Sequence, residues 1–513
     1  MTFFSTQRIG ALANRIGTDV LTELVEDLEN VIVARVCPKN QSSPAPIEFQ
    51  LPLERLNVTP SEAENYIAEL AYFDQVHHVY PFLDRQEFAL HTASCQRDGA
   101  SQCSKACSTL YHAILAIGSQ YHQGGSFTPG SGKAWAIFQL CLGIVPDILL
   151  PPYSLTKLQV CSDSHGEHYK SLSVIFIHLI FGRQSIFAMN ACCLQLDQAL
   201  VYEAARMAQS LRYHKSSNAK PAHLRAFWTI YHLEKIASFS DNNSSVFADE
   251  DIGCGIPSIP VSMFGNYNWF LSAIHLSRLT SIAYTTLFST SSSAKSAEHS
   301  LRSIKHIRRG LEEWRSAVPV EFRPKELLGL RKIASPRTKM IVIQTHYLYY
   351  NLVFAVGRLS LHVDPDEKLD REESKWNLMN AARAVIELLR FIEIQPHMPV
   401  FVSSIMPLSA VFILFDFVIH NPTHRETESN IALLDQAATY FSQLDWASKG
   451  VLPGSIISSF SSIARQYILK LRERVPMPIA SRPEMHQGIL PTWDYVPNID
   501  FKDTDVGLPL RGV

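Results

Sequence analysis

His165 and His168, with Cys161, Asp163 and Glu167 beside them, are the densest group of potential metal ligands in the chain. Two histidines three apart can share a helical face, but a closed zinc site takes four ligands and no second matched pair accompanies them. Cys95, Cys103 and Cys107 have spacings that match no zinc knuckle. Gly130–Ser131–Gly132–Lys133 follows the closing pattern of a phosphate-binding loop. Phe127 replaces the earlier glycine, however, and Ala134 stands where a magnesium-binding hydroxyl is needed, so a turn before a helix is expected. Ser154 and Lys157 meet only the bare spacing of an acyl-transfer serine and lysine, without its companion motifs. Asp249, Glu250 and Asp251 precede Gly and Pro, a composition that caps and solvates a loop more readily than it performs acid–base work. No G-x-S-x-G, H-E-x-x-H or complete dinucleotide fingerprint occurs. These residues name no catalytic site and no metal site, and they leave any cofactor-binding residues unknown.

The elements that would have to position such residues read as helices. The clearest stretch is 203–257, where Ala204, Ala208 and Leu211 recur at helical spacing, followed by Leu224, Phe227, Trp228, Tyr231 and Leu233. Two helices packed along one seam follow from this. Phe227 and Trp228 each bury a large area, so packing is their first role. Residues 10–36 read as one helix with Leu21, Leu24, Val25, Leu28 and Ile32 on one side. Its part 18–36 is a candidate pairing element and equally a helix packed within the chain. Thr59–Pro60–Ser61 followed by Glu62 and Glu64 supplies a cap, an N1-like proline and first-turn acids.

Further helices are expected over 107–121, 133–144, 266–287, 301–314, 336–360, 376–392, 405–419, 428–444 and 455–472. Pro, Gly and Ser separate them, and no series of alternating strands appears. The segment 160–186 passes abruptly from a His-rich polar patch to a β-branched run and fits the helical register poorly. Beyond Arg474 the chain is rich in Pro and Gly and is expected to trail over the surface.

Bulk composition narrows the class. Hydrophobic residues make up 46% and charged residues 18% of the 513, enough for a sizeable core. Lys and Arg number 46 against 48 Asp and Glu, with no basic tail. Small sets such as Lys305, Arg308 and Arg309, or Arg331, Lys332, Arg337 and Lys339, read as solvated faces and not as a phosphate-gripping footprint. Nine cysteines, an odd number with Cys192 and Cys193 adjacent, do not suggest a disulfide scaffold. With no secretory signal, and with 174–181 taken as the most apolar run, an intracellular protein with no membrane partner is expected.

The residue order of 203–257 resembles the middle homology region of fungal zinc-cluster transcription factors. That family's first helix carries an Ala-rich segment ending in Leu-Gly-Leu-His, to which 204–214 is similar, with Arg212 in the glycine's place. Its next helix is matched by Arg225, Phe227–Trp228, Tyr231 and Leu233–Glu234. The usual Gly-Arg-Pro is replaced by Asp241–Asn242–Asn243, whereas Asp249–Glu250–Asp251–Ile252 and Pro257 resemble the family's acidic exit. Residues 79–83, Gln344–Tyr347 with Asn351 and Arg358, 408–422 and 433–441 extend the likeness to about 60–445.

The resemblance implies an all-α, multi-helix regulatory domain over 59–445, with 160–186 a doubtful insertion. Around it lie an N-terminal helix and Pro-rich linker over 1–58, a terminal helix over 446–474 and a Pro/Gly-rich tail over 475–513. It implies a nuclear regulator of transcription, serving a metabolic or secondary-metabolite pathway. Expected partners are a full-length factor in a homo- or heterodimer, the transcription machinery and a small-molecule effector. The family's DNA reader holds two zinc ions in a six-cysteine module. Cys37 is the one cysteine before Cys95 and the required pairs do not occur, so no zinc cofactor and no direct DNA binding are expected from these residues. A truncated factor, a natural regulator without a reader and an incomplete gene model all fit that pattern. The competing readings are a helical ligand-binding protein or enzyme with a pocket of Trp228, Tyr231, Tyr347 and Tyr350, and an inhibitory remnant that binds a partner factor.

In the family, the segment after Leu158–Gln159 runs quickly into one continuous helix, matched here by 187–197. The interruption, 25–27 residues of odd composition, is the size of a short untranslated segment read through, which is the hypothesis here. Mature transcripts are expected to lack these codons, and continuous, abundant message across them would reject the idea.

Overall fold

The computed structural model describes residues 6–36, 59–67, 72–86, 88–89, 105–143, 182, 186–190, 196–215, 220–326, 333, 335–363, 368–452 and 454–474. Helices dominate these residues, as the all-α reading expects. The sheet they contain is one hairpin of two-residue strands, β1 (Met263–Phe264) and β2 (Tyr267–Asn268), turned at Gly265 with φ +61°. The segment 160–186 falls almost wholly outside the described residues, as does everything beyond Arg474.

The described residues fall into two compact units. One takes in positions 59–281 together with Gln395–Val400, and the other takes in 6–36, Ile282–Ile394 and the helices from Phe401 onward.

In the first unit the chain begins with the capping box foreseen at Thr59. Thr59 Oγ1 accepts from the Glu62 amide at 3.2 Å, while Glu62 Oε2 accepts from the Thr59 amide at 2.8 Å. This opens α3 (Pro60–Ile67), which packs on α4 (Lys105–Ser119), itself packed on α5 (Lys133–Leu142). The approach of α3 to α4 requires Gly118, where an added Cβ would lie 1.9 Å from the Tyr66 carbonyl oxygen. Ile114, Leu115, Ile117, Ile137 and Phe138 are fully buried, and Phe138 stacks on Phe187 with ring centroids 4.1 Å apart. The same cluster continues into α6 (Leu196–Ser210) and α7 (Pro221–Ser240), which pack together, and reaches α8 (Trp269–Ala283) through Phe270 and Ile274.

The second unit is built from α9 (Ala297–Ala317), α10 (Pro336–Val363), α11 (Lys368–Leu388), α12 (Met406–His420), α13 (Thr427–Ser448) and α14 (Gly454–Arg474). Helix α9 begins four residues earlier than its apolar period suggests, because Ser296 Oγ caps the His299 amide. Helix α12 packs on α11, α13 and α14. By length and composition, Phe401–His420 is apolar enough to cross a membrane, with mean hydropathy 2.1, yet 83% of that window is buried. The run 174–181 lies outside the described residues. The longer apolar segment is a core helix, which reads as continuous apolar sequence because neighbours cover it on every side.

The N-terminal segment belongs to this second unit. The single helix expected over 10–36 is two, α1 (Thr6–Ile16) and α2 (Val20–Val36). Gly17 takes φ +77°, its amide and that of Thr18 bond back to Ala13, and Thr18 Oγ1 accepts from the Val20 amide. A glycine stop and a threonine start thus sit side by side. Helix α1 packs on α12, and α2 packs on α14, and Leu21, Leu24 and Val25 of the face read as a pairing element are buried within the chain. Arg8 donates to Asp416 at 2.6 Å, with both side chains buried. Arg15 adds bonds to the carbonyls of Ile419 and His420, at 3.2 and 3.3 Å, closing the C-terminal end of α12.

Arg8→Ala strands the Asp416 carboxylate inside an apolar helix. It is expected to cost about 3–5 kcal/mol, read from urea unfolding. Arg8→Met combined with Asp416→Leu, which removes both charges, is expected to recover most of that loss.

Candidate functional site

The stretch 203–257 is where the sequence concentrates its landmarks, and it is built from the end of α6, the whole of α7 and the loop after it. Helix α6 ends in a Schellman arrangement. The Tyr213 amide bonds to the Ala208 carbonyl at 3.4 Å and the Arg212 amide to the Gln209 carbonyl at 2.9 Å. This geometry needs a left-handed residue between them, and Arg212 supplies it with φ +56°. Helix α7 ends the same way, with Asn243 bonding to Ser238, Asn242 to Phe239, and Asn242 at φ +55°. Asparagine tolerates that conformation, whereas a long side chain pays a steric cost at it.

Helix α7 opens on Pro221 at its first position and then presents Phe227, Trp228 and Tyr231, all fully buried. The indole nitrogen of Trp228 donates to the Gly255 carbonyl at 2.8 Å, and the Arg278 guanidinium lies 4.9 Å from the ring. The Tyr231 hydroxyl donates to Asp249 at 2.6 Å; burial, then the Asp249 charge, raises its pKa well above the phenol range. Lys235 is buried, and its ammonium donates to the Phe247 carbonyl at 2.7 Å and Ser281 at 2.9 Å, with Asp249 3.5 Å away. Desolvation pulls its pKa down, opposed by Asp249 and Glu234. Glu234 accepts from Ser238 and from the Val246 amide at 2.7 Å, and from Ser245 at 2.8 Å.

The loop is held at its far end as well. The His214 carbonyl accepts from the amides of Gly253 and Cys254, at 2.8 and 3.1 Å, and Lys215 lies 3.3 Å from Asp251. The acidic triple therefore divides its work. Asp249 turns inward as an acceptor for α7, while Glu250 and Asp251 stay exposed. With every one of these contacts made inside the protein, the arrangement clamps a loop to a helix and leaves no nucleophile or base poised for substrate.

The other sequence candidates resolve in the same direction. Gly130 and Gly132 take positive φ in a turn ahead of α5, and the Lys133 ammonium reaches Glu62 at 2.8 Å. That ammonium, with the Thr59 amide, holds the Glu62 carboxyl down to about 2. The four aromatic residues of the enzyme reading divide between the two units. Trp228 and Tyr231 lie in one unit's core and Tyr347 and Tyr350 in the other's. There the Tyr347 hydroxyl donates to the Val385 carbonyl at 3.2 Å, and that of Tyr350 accepts from the Lys325 amide at 3.0 Å. Among the described residues no group of three or more His, Cys, Asp or Glu could hold a metal. The cluster at 161–168 lies outside them, as do Cys95, Cys103, Ser154, Lys157, Cys192, Cys193, Arg331 and Lys332. Of the basic sets, Arg308 donates to Ser374 at 2.7 Å, and Arg309 faces Glu313 at 3.9 Å.

Three features carried no sequence signal. An open groove of about 700 Å³ runs between α13 and α14, floored by Ala438, Ser458 and Ser461 and edged by exposed Trp446. The buried Arg8–Asp416 pair joins positions 408 apart. Asp197 and Asp241 approach each other at the seam of α6 and α7, where Gln198 and Tyr202 donate to Asp241 at 2.6 and 3.1 Å. Burial, and for Asp197 the Asp241 charge, pushes each carboxyl up to about 6. Adjacent helix termini create that pair, and periodicity does not report it.

Residues 70–316 match the family described as the fungal specific transcription factor domain. Over 374 residues the chain is 23% identical to an ABC-transporter-regulating transcription factor of Aspergillus oryzae, covering 65% of this chain and 39% of that protein. A protein of the same description from Aspergillus fumigatus is 22% identical over 414 residues, 73% of this chain and 43% of its own length. An uncharacterized transcriptional regulatory protein of Schizosaccharomyces pombe is 24% identical over 266 residues, 47% of this chain and 40% of that one. The chain thus spans about two fifths of the length of these curated relatives. No solved structure matches it.

Two measurements test the local physics. A left-handed non-glycine residue costs about 1–2 kcal/mol and a glycine's extra chain entropy about 0.5–1. Arg212→Gly is therefore expected to raise stability by about 0.5–1 kcal/mol in urea titration. For Asp197 the folded pKa lies above the unfolded one, so between roughly pH 4 and 6 the folded protein holds a proton that the unfolded chain has released, and stability falls as pH rises through that window. Asp197→Asn is expected to be more stable than wild type at pH 7.5 and to flatten the difference between urea midpoints at pH 4.5 and 7.5.

Proposed function

We propose, from the premise that this chain carries a fungal-specific transcription factor domain, that it regulates a metabolic, secondary-metabolite or transporter gene set from within the nucleus. The coarser statement, a transcriptional regulator acting through a helical domain, stands on the family match and on the relatives. Those proteins are regulators of transcription and not enzymes. The single observation that carries the finer reading is the match over 70–316, which contains both α6 and α7 with their acidic exit. Transporter genes enter because two Aspergillus relatives are described as regulators of ABC transporters.

In this reading 59–445 is the regulatory region. A small-molecule effector or a partner protein binds one arrangement of its helices more tightly than another and so exposes or masks an activating surface. Base readout comes from a zinc-cluster module, either in a dimer partner or in sequence outside these 513 residues, since the six-cysteine pattern is not among them. The near-balanced charge supports that division, because phosphate binding by this region alone lacks a basic face of the needed size.

Chromatin occupancy of the tagged chain at its own locus, paired with transcript profiles after deletion, tests the reading. Enrichment at promoters whose transcripts change is expected. Background occupancy with unchanged transcripts would overturn it.

A further inference from the structure

Trp446 is 85% exposed, whereas Trp228 and Trp269 are buried almost completely, so its indole face stands in water at the edge of the groove between α13 and α14. The groove walls are ordered by helical spacing. Thr439, Ser442, Gln443 and Trp446 share one face of α13, and Ser458, Ser461 and Arg465 share the opposing face of α14. From Asp435 to Trp446 the α13 wall runs about 16 Å, at 1.5 Å per residue. The groove volume of about 700 Å³ falls within the range of small-molecule sites.

The hydroxyls along these walls direct their protons inward. Thr439 donates to the Asp435 carbonyl at 2.9 Å, Ser442 to that of Ala438 at 2.8 Å and Ser458 to that of Ser455 at 2.6 Å. Ser461 donates to the Asp435 carboxylate. What these oxygens keep for a ligand is their acceptor capacity. Donors come from the exposed Gln443 amide and from Arg465, whose guanidinium is half exposed while it bonds to Asp435. Asp435 and Arg465 are the charged groups of the lining, so its net charge is zero.

These features select a ligand class. An apolar occupant would cover the hydroxyl oxygens without bonding to them, which is unfavourable. An anion would meet a wall of lone pairs, and a cation finds no net charge to draw it. A neutral molecule rich in O–H donors satisfies the wall, and one with a flat face of C–H groups also covers the indole. A pyranose ring has both, with hydroxyls around its rim and C–H bonds on its face.

We propose that the α13–α14 groove is a binding site for a neutral sugar. A pyranose ring lies on Trp446, its hydroxyls donate to Thr439, Ser442 and Ser458, and they accept from Gln443 and Arg465. The proposal gives the effector reading a site and a ligand class, and in that sense rests on it. Binding is measured on the purified chain, so it stands or falls apart from any change in transcription.

Saturation-transfer NMR on the full chain tests it, with glucose, maltose and cellobiose as probes. Glucuronate, glucosamine and octanol serve as the anionic, cationic and apolar comparisons. Transfer to the C–H protons of at least one neutral sugar is expected, with affinity about tenfold weaker in Trp446→Ala. Thr439→Val keeps the shape of the wall and removes an acceptor, and it is expected to weaken the same sugar about threefold. Both positions are exposed, so urea midpoints equal to wild type are expected to accompany these losses. Absence of transfer from all three sugars, affinity unchanged in both variants, or preference for the charged or apolar probes overturns the proposal.

Discussion

The first unit depends on a cation held where water cannot reach it. Lys235 sits on α7 beside Glu234, and both are buried, an arrangement that costs several kcal/mol per ion unless every bond is replaced. The loop after α7 replaces them. Phe247 offers its carbonyl and Asp249 its carboxylate to the ammonium, while Ser245 and the Val246 amide donate to Glu234. The loop is thereby forced to return along the helix it has just left. That return brings Gly255 to the Trp228 indole and Gly253 to the His214 carbonyl. A fully satisfied polar network of this kind fixes one arrangement where apolar packing alone would accept several.

Much of this was legible in the residues, and the reasons differ by feature. Helices with strong periods were placed well because periodicity is a local property, as with 107–121 against α4 and 428–444 against α13. The capping box at Thr59 was readable for the same cause: its partners are three residues apart. The break between α1 and α2 was missed because apolar spacing runs on through Gly17, and a single residue with positive φ outweighs it. What could not be read is what joins distant positions. Nothing near Arg8 announces Asp416, and an acid inside an apolar run looks anomalous until its partner is found.

The acidic exit shows the same limit within the candidate site. Three consecutive acids read as a solvated cap, and two of them behave so. The third cannot be told from its neighbours by composition. Only the register of the turn over Asp249–Asp251, set by the Lys215 and Lys235 contacts on either side, decides which carboxylate faces the Tyr231 hydroxyl. The family resemblance supplied the order of these landmarks but not their pairing. Order is carried by sequence, and pairing by the path of the loop.

Arg212 connects the two kinds of information. The resemblance places a glycine there, and the backbone adopts the conformation a glycine would favour, although the side chain opposes it. The strain persists because the residues that follow leave the chain no other route. Tyr213 stacks on His223 with centroids 4.4 Å apart, and the next carbonyl, at His214, is held by two loop amides. A backbone over-determined from both sides absorbs an unfavourable residue at a cost of about 1–2 kcal/mol, little beside what the clamp would lose if the turn relaxed. The end of α6 is thus fixed by the loop that closes on it more than by its own terminal residue, and the substitution is tolerated for that reason.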